Sequence, residues 1–171
     1  IVRSSFKHLT TVKGFAAVPE VFSNNLESQF TFYHLVTHHY APSKHTGISQ
    51  EEYNTRYKKL KENFNLKKVG FNAGIFAFNT DIIEANTFDS LLETYKDYGR
   101  ITCFPPQGEL NLFFYNNWEK LPVVYNSYPV LWHHFYKFKY SEIDGILLHF
   151  VQANNVSIKP WDEKSQFYQE W

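Results

Sequence analysis

Three short apolar runs, set between stretches of helical period, limit this chain more than any other feature. Residues 12–18 (VKGFAAV), 69–79 (VGFNAGIFAFN) and 145–151 (GILLHFV) are bounded by turn-tolerant residues and are too short for buried helices, so they read as buried strands. Gly70 and Gly74 interrupt the second run, where a backbone must turn or something must approach closely. Between the runs, Ser49 followed by Glu52 is a capping box: the hydroxyl accepts from a first-turn amide and the carboxylate reaches back to the cap amide. Tyr53, Tyr57, Leu60 and Phe64 follow at helical spacing and predict a helix over 50–63. Phe88, Leu91, Leu92 and Tyr95 predict a second, core-facing helix with Thr87 as cap and Gly99 as left-handed terminator. Pro105 and Pro106 open a third from about Gln107, with Leu110, Phe113 and Phe114 as its buried stripe and with Gln107 and Asn111 sharing a different face. Residues 121–125 read as a strand, and the aromatic stretch 128–140 has no clear period. Strands alternating with helices predict an α/β layered domain.

The chain's 171 residues suit one domain with a real core. Its 17 Lys and Arg balance 17 Asp and Glu and are interleaved with them, which leaves no basic strip for nucleic acid or for a membrane surface. Cys103 has no partner cysteine, so neither a disulfide framework nor a four-thiolate zinc site can form. The apolar runs fall far short of the roughly 20 residues that cross a bilayer. Residue 1 is Ile, and Ile1-Val2 reads as the tail of a strand, so the chain is expected to start within a fold. Residues 19–68 form a polar and aromatic segment holding His34, His38, His39 and His45. Without a cysteine or an HExxH pattern nearby, these read as surface histidines rather than a zinc site.

Three constellations are able to carry chemistry. FNAG at 71–74 is either a glycine bulge with a turn-forming Asn, or a place where Asn72 aims an amide at a ligand that Gly74 lets approach. QGELN at 107–111 is either a solvated first turn, or a helix start whose amides suit an anionic or hydroxyl-rich ligand. His149, near the end of an apolar run, is either a satisfied core histidine or a ligand at the carboxyl end of a strand, where open α/β sheets collect their ligands. Lys159, just before Pro160-Trp161, could pair with a phosphate as a compact charge. No phosphate-binding glycine loop, dinucleotide fingerprint or G-x-S-x-G elbow is present.

Each motif is weak alone, but their order is specific. FNAG, PQGELNLFF, LPVVYN and HFVQANNVSIKPW resemble the patterns FNSG, DQGLLNxFF, LPxxYN and HFxGxxKPW from the C-terminal part of the family 8 glycosyltransferases, and most of all the glycogenin branch. The resemblance covers about residues 69–161 and more weakly 1–17. It implies a nucleotide-diphospho-sugar transferase domain of the GT-A, Rossmann-like type, incomplete at its N-terminus, spanning 1–171 as one domain with an inserted segment at about 19–68. The implied reaction transfers a hexose from a UDP-sugar to an acceptor hydroxyl, on a carbohydrate or a protein-linked glycan, with retention and with Mn²⁺ or another divalent ion. A relative that binds a nucleotide sugar or glycan without turnover is the alternative.

Carried over residue by residue, His149 would ligate the metal beside two aspartates of an Asp-x-Asp motif expected just before Ile1, Lys159 would contact the diphosphate, and Asn72, Gly74 and Gln107 would contact the donor sugar, with Gln107 the catalytic candidate. A bound ion would supply positive charge, so the chain's neutrality does not exclude a phosphate-bearing ligand. The departures are specific too. Pro106 stands where the family has Asp, the loop between His149 and Lys159 is longer, and the tyrosine that glycogenin glucosylates falls near His133, which does not support self-priming. The sequon at Asn155 lies in that loop, where a glycan would crowd the donor site; this leans toward a cytoplasmic protein, with a Golgi-lumen protein anchored upstream as the alternative. A homodimer is compatible with the family.

Overall fold

The computed structural model describes residues 1–21, 25–31, 48–139, 143–150, 159–165 and 167–170. The histidine-rich stretch 32–47 and the sequon loop 151–158 lie outside the described residues. The chain divides into two compact units, Lys13–Lys120 on one hand and Ile1–Val12 with Leu121–Trp171 on the other.

The Lys13–Lys120 unit is built on a three-stranded sheet with β1 (Phe15–Pro19) at its centre. β1 pairs antiparallel with β2 (Phe71–Phe78), Phe15 opposite Phe78 and Pro19 opposite Phe71, with a register shift between Ala17 and Pro19. It pairs in parallel with β3 (Trp118–Lys120). A central strand is covered on both faces, and residues 15–18 are all buried. β2 was expected to be buried throughout and is not: it is an outer strand of the described sheet in which only Phe71 is buried, and Phe76 and Phe78 are exposed. The strand expected at 121–125 is also displaced. Pro122 cannot donate to a ladder, so pairing ends at Lys120 and the chain turns through a 3-10 turn at Val123–Asn126.

Helix α1 (Gln50–Asn63) forms where its period predicts. Ser49 Oγ accepts from Glu52 N at 3.1 Å, but the Glu52 carboxylate turns to Arg56 and Arg100, at 3.0 and 2.7 Å, instead of closing the box. Tyr53 and Leu60 enter a core with Leu26, Phe30, Leu66, Tyr98, Ile101, Cys103 and Leu112, and the Tyr53 hydroxyl donates to Phe30 O at 2.8 Å. A second cluster, Phe15, Ala17 and Phe71, lies under Leu110, Phe114 and Trp118.

Helix α2 (Thr87–Tyr98) forms as expected but faces differently. Phe88 is 73% exposed and Tyr95 56%, so the apolar stripe is a surface. Phe88 and Leu91, with Phe76, Phe78 and Ile83, line an apolar concavity of about 310 Å³. A helical period shows which side of a helix is apolar without showing what lies against it. Phe88→Ser is therefore expected to change the unfolding free energy by less than about 0.5 kcal/mol, as exposed positions do; a loss of several kcal/mol in urea titration would mean that this ring is covered. The helix ends correct two further expectations. Asn86 holds the cap position, with Thr87 opening the helix and its hydroxyl accepting from Glu84 N. Gly99 is right-handed, at φ −59°, and the chain continues into a 3-10 turn at Gly99–Ile101.

Helix α3 (Gln107–Phe113) starts after the two prolines as predicted. Its buried residues are Gly108, Glu109, Asn111 and Leu112, whereas Leu110, Phe113 and Phe114 are only half-buried. Both Asn111 and Glu109 thus face inward.

In the other unit the unassigned aromatic stretch contains helix α4 (Pro129–Tyr136), with proline at its first turn and Lys137 left-handed at φ 60° closing it. The run at 145–151 is not a full strand within the described residues. It makes isolated bridges, Leu147 with Val2 antiparallel and Leu148 with Ser127 parallel. His149 N and Leu148 N donate to Ser127 O and Ile1 O, at 2.7 and 2.8 Å, so the segment is held from both sides but too briefly for a ladder. Tyr125, Tyr128, Val130, Leu131, Ile143, Leu148 and Phe167 are buried in this unit. Among the described residues no helix is long and apolar enough to cross a membrane.

Candidate functional site

The carboxyl end of β1, the start of β2 and the start of α3 meet at one edge of the Lys13–Lys120 sheet. β1 runs out at Pro19, and Glu20 N still donates to Gly70 O at 2.9 Å, so the Glu20 side chain leaves the sheet beside the opening of β2. Because β2 is antiparallel to β1, its first residues lie at that same edge. Asn72 Nδ2 donates to Glu20 Oε2 at 3.0 Å, and Gln107 Nε2 donates to the same oxygen at 3.3 Å. Gln107 Oε1 accepts from Ala73 N at 2.9 Å, and Asn72 Oδ1 accepts from Gly74 N at 2.7 Å. FNAG and QGELN therefore do come together, and within β2 the Asn72 side chain holds the backbone of Gly74, two residues on.

Glu20 is the member of this cluster that the sequence reading missed. The signal was present: a carboxylate immediately after a short apolar run sits at the carboxyl end of a strand, the side of an open α/β sheet that collects ligands. Glu20, Asn72 and Gln107 are all half-buried. One carboxylate acceptor flanked by two carboxamides can donate to and accept from neutral hydroxyls. Such a set suits a sugar better than a phosphate.

Near the start of α3 the structure holds a second carboxyl, with a different environment. Glu109 is 5% exposed, and neither of its carboxyl oxygens has a hydrogen-bond partner among the described residues. Burial pushes its pKa up from 4.5 to about 7. The buried thiol of Cys103 is likewise pushed up, to about 12, so it is not a nucleophile at neutral pH.

His149 and Lys159 belong to the other unit. His149 is half-buried, with its ring 5.1 Å from that of Tyr128. Its Nδ1 meets Asn126 Oδ1 at 2.8 Å, and Asn126 Nδ2 in turn donates to the Tyr128 hydroxyl at 2.6 Å. With the Asn126 oxygen facing it, Nδ1 is placed to donate, and in the neutral ring that pairing puts the lone pair on Nε2, the form in which an imidazole ligates a metal. Asn126 is the end of LPVVYN, a motif with no assigned role at the sequence level. Lys159 Nζ donates to the carbonyl of Phe150, next to His149, at 3.3 Å, so the two candidates for metal and phosphate are neighbours. Among the described residues no group of three or more His, Cys, Asp and Glu is placed to hold a metal.

The family model for glycosyl transferase family 8 matches residues 4–165. No curated protein and no solved structure matches the chain.

Proposed function

We propose, from the premise that the chain belongs to glycosyl transferase family 8 and so is a glycosyltransferase with the α/β GT-A nucleotide-sugar transferase fold, that it moves a hexose from a UDP-sugar to an acceptor hydroxyl with retention. The observation that carries this reading is the convergence of Glu20, Asn72 and Gln107 at one sheet edge. The bonds these three make to one another are of the kind a sugar's hydroxyls would replace one for one: Glu20 would accept from a hydroxyl, and the two amides would donate to ring substituents. Gln107 is the catalytic candidate, because its Nε2 is directed into the cluster while its Oε1 is anchored by Ala73 N. Gly74, exposed beside Asn72, leaves room for the donor.

Lys159 would meet the diphosphate, and its present bond to a neutral carbonyl is one that a phosphate oxygen would readily displace. His149, with Nδ1 placed to donate to Asn126, fits a divalent ion as a single imidazole ligand. When bound, an ion such as Mn²⁺ supplies positive charge to the departing UDP. The acceptor on this reading is a carbohydrate or a protein-linked glycan.

The test is UDP release by the full-length protein from UDP-hexoses with Mn²⁺ present. Gln107→Ala is expected to lower kcat/KM roughly tenfold to a hundredfold, the range for one hydrogen bond lost in a polar cluster. His149→Ala is expected to abolish the stimulation by Mn²⁺. Release that is absent from every UDP-hexose, or unaltered in both variants, would overturn the reading.

A further inference from the structure

Asn111 is 2% exposed and occupies the inner face of α3, one turn after Gln107. Its Oδ1 accepts from Phe71 N at 2.7 Å, and its Nδ2 donates to Phe71 O at 2.8 Å. One side-chain amide thus satisfies both backbone groups of a residue that is itself fully buried, as a neighbouring strand would. The second Nδ2 hydrogen donates to Gln107 O at 2.9 Å, within the helix. Three of the four bonds an asparagine can make are therefore committed to fixing α3 against the first residue of β2. The approach is close enough that a side chain at Gly70 would run into Asn111 Oδ1 and Leu26, so Gly70 is the residue that lets the amide in.

We infer that Asn111 is a positioning residue for the donor site: it sets the spacing between Asn72 and Gln107 by clamping the residue before Asn72 to the helix that begins with Gln107. This rests on the proposed role of Asn72 and Gln107 in binding the donor sugar. The clamp acts on both at once. Phe71 is bonded to Asn111, Asn72 follows it, and Ala73 N is bonded to Gln107 Oε1, so β2 and α3 are stitched at alternate residues with Asn72 between the stitches. Loosening the Phe71 stitch leaves Gln107 attached to a strand whose start can shift, and the 3.0 and 3.3 Å contacts that gather both amides on Glu20 no longer hold together. UDP itself does not depend on that spacing.

The discriminating measurement is calorimetric binding of UDP and of UDP-glucose or UDP-galactose, whichever binds more tightly, to the full-length protein. Asn111→Ala is expected to weaken the UDP-sugar about tenfold, the scale of one or two lost hydrogen bonds, and to change UDP binding less than about twofold. In a Gln107→Ala background the same substitution is expected to cost clearly less than about tenfold, because one of the two groups whose spacing it sets is gone. Equal weakening of UDP and UDP-sugar, or full additivity with Gln107→Ala, overturns the positioning role. If Gln107→Ala alone leaves UDP-sugar binding unchanged, the donor-site reading fails and this inference with it. Should Asn111→Ala not fold, the wild-type protein still decides: the Asn111 side-chain amide protons are expected to exchange slowly by NMR and to shift with UDP-sugar but not with UDP. Exchange as fast as that of an exposed asparagine overturns the clamp.

Discussion

Replacing Glu109 by leucine is expected to stabilise the protein, by about 3 kcal/mol more near pH 8 than near pH 4.5. The folded-state pKa of Glu109 is raised from 4.5 to about 7, so folding takes up a proton between these values. A carboxyl with a raised pKa lowers stability progressively as pH rises through its unfolded value, and the loss is complete above its folded value. At about 1.4 kcal/mol for each pKa unit, the full loss is about 3 kcal/mol. The group is 5% exposed, with both oxygens unpaired among the described residues, so solvent does little to soften this cost. Leucine, the residue of the family pattern at this position, removes the titration and the unpaired oxygens together. Glu109→Gln removes only the titration and is expected to flatten the pH dependence with a smaller overall gain. Urea unfolding at the two pH values measures both, and an equal effect of Glu109→Leu at each would show that the carboxyl reaches water or a partner.

The same carboxyl shows where sequence reasoning stops. That α3 begins at Gln107 was legible, because proline stops one segment and suits the first turn of the next. Which of its faces is buried was not. Leu110, Phe113 and Phe114 look like the inner stripe, yet Glu109 and Asn111 are the deeper residues: Asn111 faces β2, where a polar side chain satisfies Phe71 N and O, and Glu109, two residues away and so on a different face, lies close to Gly99. The stripe on α2 was misread for a related reason: its period is correct, but Phe88 and Tyr95 face outward.

Legibility was better where local chemistry and function coincide. FNAG and Gln107 were singled out from residue types alone, and they meet through Ala73 N and Gln107 Oε1. Glu20 escaped notice because no motif surrounds it, although its place after β1 is what makes it part of the edge. His149 was found, but its partner Asn126 was not: the distance between them in sequence conceals a 2.8 Å contact formed only when 145–149 is drawn alongside Ser127.

The largest loss of stability is expected from Phe71→Ala, about 3–5 kcal/mol in urea unfolding, the range for a buried phenylalanine cut to alanine. Phe71 is fully buried, with its ring 5.1 Å from that of Phe15 and 5.2 Å from that of Trp118. It is also the only fully buried residue of β2; the Phe76 ring reaches the same cluster, 5.2 Å from that of Phe15, but from the exposed side. Phe76, 40% exposed on the same strand, is expected to lose less than about 1.5 kcal/mol on the same change. Against a total stability of about 5–15 kcal/mol for a domain, the Phe71 loss alone brings the fold close to its limit. The backbone of this residue is the one held by Asn111, so the cavity opens under the start of the strand that carries Asn72. UDP-sugar affinity is therefore expected to fall further than the unfolded fraction accounts for in Phe71→Ala, and by no more than that fraction in Phe76→Ala. Equal stability losses in the two variants would show that β2 is held by pairing with β1 rather than by Phe71.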